Sequence, residues 1–289
     1  MAPKRQGNDM TWTHHTLKFR LLSPMHIGYR KVGNLMQTRQ YVPGKNIWAA
    51  LTARLTRDYH DGSQGKCYQR IGDLIKLHFR FGYLWPSLDG KDPYFPWVHN
   101  DFDYQLLNSY ASTALDYTVN SALEGSLHET EYIAHVARNT SQVFMLGDLW
   151  VKATLPEELH CWKKEMNKLQ LGGERAYGWG RVFCCSDLND GHQEGGITVS
   201  HHKWEGKGGK IVLTLDKNDK IKAHVLASGP EAATSLTGPI EPLVGRNWGE
   251  HAGQNISFEK VHFSPGCEIE TEHVEFELGW DGRWKCHRR

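Results

Sequence analysis

One glycine-rich segment constrains this chain more than any other, the sequence LGGERAYGWGR at residues 171–181. Its four glycines within nine positions allow positive φ angles and a close approach of the backbone to a ligand. The segment follows apolar residues at helical spacing and precedes a strand-like stretch. That order excludes a dinucleotide fingerprint, and no Gly-Lys-Ser/Thr follows to make a P-loop. The segment is therefore either a tight helix-to-strand turn with packed aromatic rings or a binding loop.

The residue types in this segment suit a single-stranded nucleic acid if it is a binding loop. Arginine pairs well with phosphate, and aromatic rings offer flat faces on which bases stack. The candidate RNA-binding residues of the segment are Gly172, Gly173, Arg175, Tyr177, Gly178, Trp179, Gly180 and Arg181.

The charge distribution supports a polyanionic ligand more than the total does. The formal net charge is only +1, but residues 1–60 hold ten Lys or Arg against two carboxylates, and residues 101–150 hold one Arg against seven carboxylates. A local positive field attracts polyanions even when the whole chain is neutral. The basic stretch 28–45, which ends at a Pro-Gly helix start with free amides, adds the candidates Arg30, Lys31, Arg39 and Lys45. A solvated basic loop is the alternative interpretation.

The order of apolar patterns predicts an α+β protein. Strand-like and helical stretches alternate up to residue 186, interrupted by a loop-heavy insertion over 60–110. A polar, glycine-rich stretch follows, and then a hairpin around 217–219 with further short strands. We therefore predict a domain over 1–188, a linker over 189–209 and a smaller, mostly β domain over 210–289.

Composition excludes several classes of protein. Hydrophobic residues make up 39% and charged residues 23%, unlike disordered, collagen-like or coiled-coil chains. No apolar run reaches the ~18 residues of a membrane helix. Six cysteines without a C-x-x-C pair argue against a disulfide framework or a zinc module and favour a cytoplasmic protein. We expect no cofactor and no metal.

The sequence gives little support for catalysis. No carboxylate lies between Asp9 and Asp58, so the basic stretch lacks the ligands or base that metal-assisted phosphodiester cleavage needs. His26 could act as a general base in metal-free RNA cleavage, and a structural histidine is the other interpretation. We expect a protein that is not an enzyme.

Four motifs, in order, resemble the RAMP superfamily of CRISPR–Cas proteins. Family members commonly read P-L-H-I-G, I-P-G-S-S-L-[KR]-G-A-L-R, a segment with A-[IL]-D…A…G-x-L-[YH]-x-x-E, and G-x-G-R. The resemblance spans residues 16–186, although Asn46 and Ala49 replace the usual serine and glycine. The matching stretches are SPMHIG (23–28), VPGKNIWAALTARL (42–55), ALDYTVNSALEGSLHETEYI (114–133) and LGGERAYGWGRV (171–182).

This resemblance implies a modified RRM or ferredoxin-like domain with insertions, and a glycine-rich loop at RNA. It further implies a subunit of a type III effector complex in antiviral defence. Its expected partners are CRISPR RNA, other RAMP subunits and the large subunit, with target RNA as a further candidate.

Three roles in such a complex compete, and we favour a non-catalytic subunit that caps the 5′ handle of the guide. Backbone subunits that cut target RNA use an aspartate in the loop after the first strand, and residues 28–45 contain none. Guide-processing ribonucleases place the glycine-rich loop near the C-terminus, whereas residues 182–289 follow it here. A backbone or terminal RAMP subunit, a guide-processing ribonuclease and an adaptor that binds only protein remain alternatives.

Overall fold

The computed structural model describes residues 11–60, 65–192, 195–229, 232–233, 235–247 and 254–287. These residues form a mixed α+β structure in which strands predominate, so the predicted class is confirmed at this level. The basic start of the chain, residues 1–10, lies outside the described residues. The helices are α1 Gly44–Tyr59, α2 Gly65–His78, α3 Phe102–Leu106 and α4 Trp162–Glu165, with 3-10 turns at Glu157–Leu159, Met166–Lys168 and Arg175–Tyr177.

The first two thirds of the chain contain two main sheets. One is antiparallel, in the order β11-β1-β10-β4, with β5 also paired to β10; the other is ordered β2-β3-β9-β6, with β3 and β9 parallel. The strands are β1 Trp12–Leu21, β2 Gly28–Val32, β3 Leu35–Thr38, β4 Phe79–Phe81, β5 Trp85–Ser87, β6 Leu107–Ser112, β7 Leu115–Asp116, β8 Ser121–Ala122, β9 His128–Ile133, β10 Phe144–Lys152 and β11 Val182–Cys184.

The core of this part lies between the antiparallel sheet and its helices. In β1, Leu17, Phe19 and Leu21 are fully buried while Arg20 between them is exposed, as a period of two requires. In α1, Ile47 and Leu51 are fully buried at a spacing of four, so one face of the helix packs on the core. Each such side chain stabilises the fold by ~1.5–3 kcal/mol.

Three local predictions differ from the structure. The insertion predicted as loops contains α2, which packs on α1 because Gly72 lies directly under the Trp48 ring. The basic stretch predicted as a loop is largely the β2–β3 hairpin. The helix predicted after Pro156 is broken into short turns, although Leu159, Trp162, Met166 and Leu169 are all buried as its spacing indicated.

The last third of the chain forms an eight-stranded sheet in the order β12-β13-β14-β20-β21-β15-β18-β17, and a small pair of β16 with β19. Only β15 and β21 are parallel within the larger sheet, as far as the described residues show. The strands are β12 Gly196–Ile197, β13 Lys203–Lys207, β14 Lys210–Leu215, β15 Val225–Leu226, β16 Leu236–Thr237, β17 Ile240–Asn247, β18 Asn255–Phe263, β19 Glu268–Ile269, β20 Val274–Leu278 and β21 Trp284–Cys286.

Two features of this region correct the sequence interpretation. The stretch 189–209 is not only a linker, because β12 and β13 lie within it and belong to the sheet. The prediction of a hairpin around 217–219 is wrong, because the strands on either side of this turn, β14 and β15, do not pair with each other. Strand β14 pairs with β13 and β20, and β15 pairs with β18 and β21. Within the described ranges, no helix is long and apolar enough to cross a membrane.

Candidate nucleic-acid interface

The glycine-rich loop, residues 171–181, is anchored to the turn that comes after β1. The backbone N–H of Gly173 donates to the His26 carbonyl oxygen (2.8 Å), and that of Gly180 to the Pro24 carbonyl oxygen (2.7 Å). The Arg181 N–H donates to the Ser23 hydroxyl (2.9 Å). The first and last of the four sequence motifs therefore contact each other, largely as backbone against backbone.

Two glycines in this loop are required by sterics rather than by a ligand. A Cβ on Gly180, whose φ is +73°, would lie 1.8 Å from the Leu171 carbonyl oxygen, and one on Gly172 would lie 2.2 Å from that of His26. Neither carbonyl oxygen could move far enough to make room for a Cβ, because both belong to the backbone. The sequence suggested that the glycines let a ligand approach; at these two positions they let the loop approach its own chain.

Arg175, Tyr177 and Arg181 project from the loop into solvent. Tyr177 is 82% exposed, and both arginines are exposed and form no ion pair within the described residues. Trp179 differs, since its ring packs edge-on against Tyr132 of β9 at 5.0 Å between ring centroids. Tyr177 thus has a ring available for stacking, whereas Trp179 ties the loop to the β2-β3-β9-β6 sheet.

Arg30 and Lys31 lie on β2 of this same sheet, and both are exposed. The Arg30 Nε donates to Gln37 Oε1 (2.6 Å) across the hairpin, and its guanidinium lies 5.2 Å from the Tyr29 ring centre. The sheet therefore connects the basic hairpin to the glycine-rich loop through β9. We call the exposed side chains Arg30, Lys31, Arg175, Tyr177 and Arg181 the outer cluster.

Arg39 and Lys45 do not belong to this exposed set, although the sequence grouped them with it. Arg39 makes two hydrogen bonds to Glu241 on β17, at 2.9 and 3.1 Å, and its side chain is only 13% exposed. Lys45 Nζ lies 3.0 Å from Glu259 Oε1 on β18. Both cations are neutralised by carboxylates from the last third of the chain, which sequence patterns could not place beside them.

The start of α1 is covered in the same way. The Lys45 N–H, which was expected to face an anion, donates to the Asp281 carbonyl oxygen at 3.0 Å. A Cβ on Gly44 would lie 2.7 Å from that same oxygen, so the contact is close. A cavity of about 480 Å³ lies beside it, between α1 and the β17–β18 strands.

A buried polar network closes the floor of this cavity. His224 Nε2 donates to Glu241 Oε1 (2.7 Å), and the Tyr83 hydroxyl donates to His224 Nδ1 (2.7 Å). Burial raises the pKa of Glu241, but hydrogen bonds from His224 and Arg39 outweigh it and lower that pKa to about 2. Burial lowers the pKa of His224, which is neutral near pH 7. Glu241 is therefore ionised and acts as the anion that joins the two halves of the chain.

His26 lies beneath the glycine-rich loop, 8% exposed. Its Nδ1 donates to the Glu131 carbonyl oxygen (2.7 Å), since a carbonyl can only accept, which leaves Nε2 as an acceptor. Among the described residues, no three His, Cys, Asp or Glu side chains are grouped as a metal site would need.

No protein-family model matches this chain, and no curated protein matches it. Solved structures of Type III-B Cmr-beta complexes contain chains of loosely similar shape. One from the apo state is 11% identical, with a TM-score of 0.40 over 61% of this chain and 98% of that chain. One from the complex bound to cognate target RNA and AMPPnP is 10% identical, with a TM-score of 0.47 over 92% of this chain and 86% of that chain.

Proposed function

We propose that this chain is a non-catalytic RNA-binding subunit of a type III CRISPR–Cas effector complex, and that it holds the 5′ handle of the guide RNA. The observation that carries the proposal is the outer cluster. The glycine-rich loop and the basic hairpin, nearly 150 residues apart in sequence, attach to one small sheet. They present a free tyrosine ring and four cations that have no ion pair in the described part of the chain. Cations that neutralise phosphates and rings that stack bases are what a single RNA strand requires.

The topology is consistent with the RRM or ferredoxin-like domain that the RAMP resemblance implies. Four strands of the antiparallel sheet follow one another along the chain as β1, β4, β10 and β11. Helices α1 and α2 lie between β1 and β4, and α4 lies between β10 and β11. The spatial order of the four strands is fourth, first, third, second, all antiparallel. A split βαβ arrangement of this kind has such an order.

The handle-capping role rests on the region beyond the glycine-rich loop. The described residues between 196 and 286 build a second sheet, and its β17 and β18 neutralise Arg39 and Lys45 at the base of the basic hairpin. An RNA strand that leaves the outer cluster therefore meets a second structural unit, as expected for a subunit at an end of the guide. Other RAMP subunits and the large subunit are the expected neighbours.

Salt-dependent RNA binding tests the proposal. In fluorescence anisotropy with a single-stranded RNA that carries the repeat-derived 5′ handle, removing two phosphate contacts should reduce the log–log salt slope by ~1.4. We expect this for Arg175→Ala with Arg181→Ala, and again for Arg30→Ala with Lys31→Ala. The matched control changes Lys91 and Lys217, two exposed lysines outside the cluster, to Ala.

Specificity for the handle is tested with an RNA of equal length and scrambled 5′ sequence. Tighter binding of the handle RNA supports the capping role, whereas equal binding favours a backbone subunit that coats the guide. If the wild-type chain binds no RNA, the adaptor alternative replaces the proposal.

A metal-independent ribonuclease is the second candidate, because the hydrogen bond to Glu131 leaves His26 Nε2 as a base beside the glycine-rich loop. Incubation of the purified chain with repeat RNA and a chelator tests it. Cleavage that His26→Ala abolishes and His99→Ala preserves would overturn the non-catalytic assignment.

A further inference from the structure

A second groove, away from the outer cluster, opens in the eight-stranded sheet. It has a volume of about 590 Å³ and lies where β21 and β18 separate, because β15 bridges them over only two residues. Lys285 and His287 line one side of it, and Phe258, Lys260 and His262 line the other.

The charge of this groove is positive. Four cations, Lys210, Lys260, Arg283 and Lys285, line it against two carboxylates, Glu259 and Glu277. The carboxylates are already paired, Glu277 with Lys210 and Glu259 with Arg283. Lys260 and Lys285 are exposed and form no ion pair within the described residues. Two unpaired positive charges thus line the groove, Lys260 on β18 and Lys285 on β21.

The backbone at Lys260 is in a conformation that lysine adopts rarely. Its φ is +68°. Lys260 and Glu259 together oppose the single residue Leu243 in a bulge, since β17 and β18 shift register between the pairs Pro242↔Val261 and Val244↔Phe258. His262 Nδ1 donates to the Lys260 carbonyl oxygen (3.3 Å) and supports this geometry. A bulge redirects a side chain, and strain at a non-glycine residue is a reason to test that side chain for a function.

Phe258 adds an exposed aromatic ring at the edge of the groove. It is 64% exposed, and its cross-strand neighbour Val244 is equally exposed, so no part of the described chain covers this face. A lone aromatic ring beside unpaired lysines is the combination with which proteins hold single strands without sequence preference.

The groove borders the cavity beside α1. It shares Glu259 and Arg283 in its wall with the cavity beside α1, and that cavity is also lined by Gly28, the first residue of the basic hairpin. The groove therefore adjoins the cavity that borders the start of the basic hairpin.

We propose that this groove is a second binding site for a single-stranded nucleic acid, with Lys260 and Lys285 on phosphates and Phe258 stacked on a base. It extends the proposed function, on which it rests, to the last third of the chain. The polyanion is the occupant that the charge favours, and an acidic protein is the competing occupant.

Lys260→Gly separates the charge from the fold. Glycine adopts a φ of +68° without steric cost, so we expect a melting temperature no lower than that of the wild type together with weaker binding. With an RNA of about 20 nucleotides, Lys260→Gly combined with Lys285→Ala should reduce the log–log salt slope by ~1.4, and Lys260→Arg should preserve it. An unchanged slope in the double variant overturns the proposal.

Two further measurements separate this site from the outer cluster. The same double variant is made in a chain that carries Arg175→Ala and Arg181→Ala, where residual binding of the long RNA should still fall. A photoreactive phenylalanine derivative at position 258 should crosslink to RNA in the assembled complex. A crosslink to protein alone, or none, overturns this site whether or not the outer cluster binds RNA.

Discussion

Two pairs of cations in the basic stretch show how far surroundings decide the role of a residue. Arg30 and Lys31, on the exposed strand β2, have no carboxylate partner within the described residues. Arg39 and Lys45, only a few residues further on, lie against Glu241 and Glu259. The first pair has charge left for a ligand, and the second pair uses its charge to join the two parts of the fold. A count of charges along the sequence therefore overestimates the positive charge available for a ligand wherever carboxylates distant in sequence fold back and pair with the cations.

The largest effect should come from breaking the buried pair. Arg39→Ala leaves Glu241 ionised and buried without its two hydrogen bonds from the guanidinium, which should lower the free energy of unfolding by about 3–5 kcal/mol. Urea denaturation of the wild type and of Arg39→Ala measures this difference in the free energy of unfolding. A double variant with Arg39→Met and Glu241→Leu should recover part of the loss, because no uncompensated charge remains. A loss below about 1 kcal/mol is the range of a solvent-exposed ion pair. Such a result would mean that the Arg39–Glu241 pair does not hold the two parts of the fold together.

Acid should weaken the same junction. The pKa of Glu241 is lowered from 4.5 to about 2, so the stability it contributes is present above pH 4.5 and is lost as the pH falls towards 2. Because solvent screens part of the interaction, this shift corresponds to at most about 3 kcal/mol. Urea denaturation at several pH values in this window, for the wild type and Glu241→Gln, isolates the contribution. Parallel curves for the two proteins would contradict it.

Within the glycine-rich loop, two glycines should respond differently. Gly180→Ala brings a Cβ against the Leu171 carbonyl and should cost at least ~2 kcal/mol of stability, because overpacking adds to the left-handed φ. Gly178→Ala has the same sign of φ but open space around the new atom, so only the backbone term of ~1 kcal/mol applies. Thermal melts of the two variants make the comparison, and equal losses would show that the close backbone contact is not needed.

The two aromatic residues of the loop should separate binding from folding. Tyr177→Ala should weaken RNA binding by ~1–3 kcal/mol with an unchanged melting temperature, because its ring contacts solvent. Trp179→Ala should lower the melting temperature, since its ring packs on Tyr132. Anisotropy and melting curves on both variants check this, and a Tyr177 variant that binds RNA normally would remove the ring from the site.

Local patterns predicted the regular elements well where they carried their own signal. The alternation in TLKFRLL and the spacing of Ile47, Leu51 and Leu55 correspond to β1 and α1. The helix α2 was missed because aromatic and proline residues after it dominated the interpretation of 60–110. The partners of β14 could not be predicted, since β20 lies some 60 residues away and nothing in a short window encodes that pairing.

The candidate site was predictable in composition and less so in geometry. The exposure of Arg175, Tyr177 and Arg181 agrees with their proposed contact with RNA, which stays a prediction. The pairing of Arg39 with Glu241 spans 202 positions, so only the folded chain reveals it. The bulge at Lys260 was not predicted either, although the apolar residues change phase there, from positions 256 and 258 to positions 261 and 263.

The bulged strand pair has a consequence for how the protein behaves in concentrated solution. In the described part of the chain, β17 is the outermost strand of its sheet, and its exposed Ile240 and Val244 would suit pairing with another molecule. Pro242 lies between them, offers no N–H to an incoming strand, and stands next to the bulge that twists the ribbon. A single proline in this edge strand thus opposes edge-to-edge pairing between molecules, and so opposes aggregation.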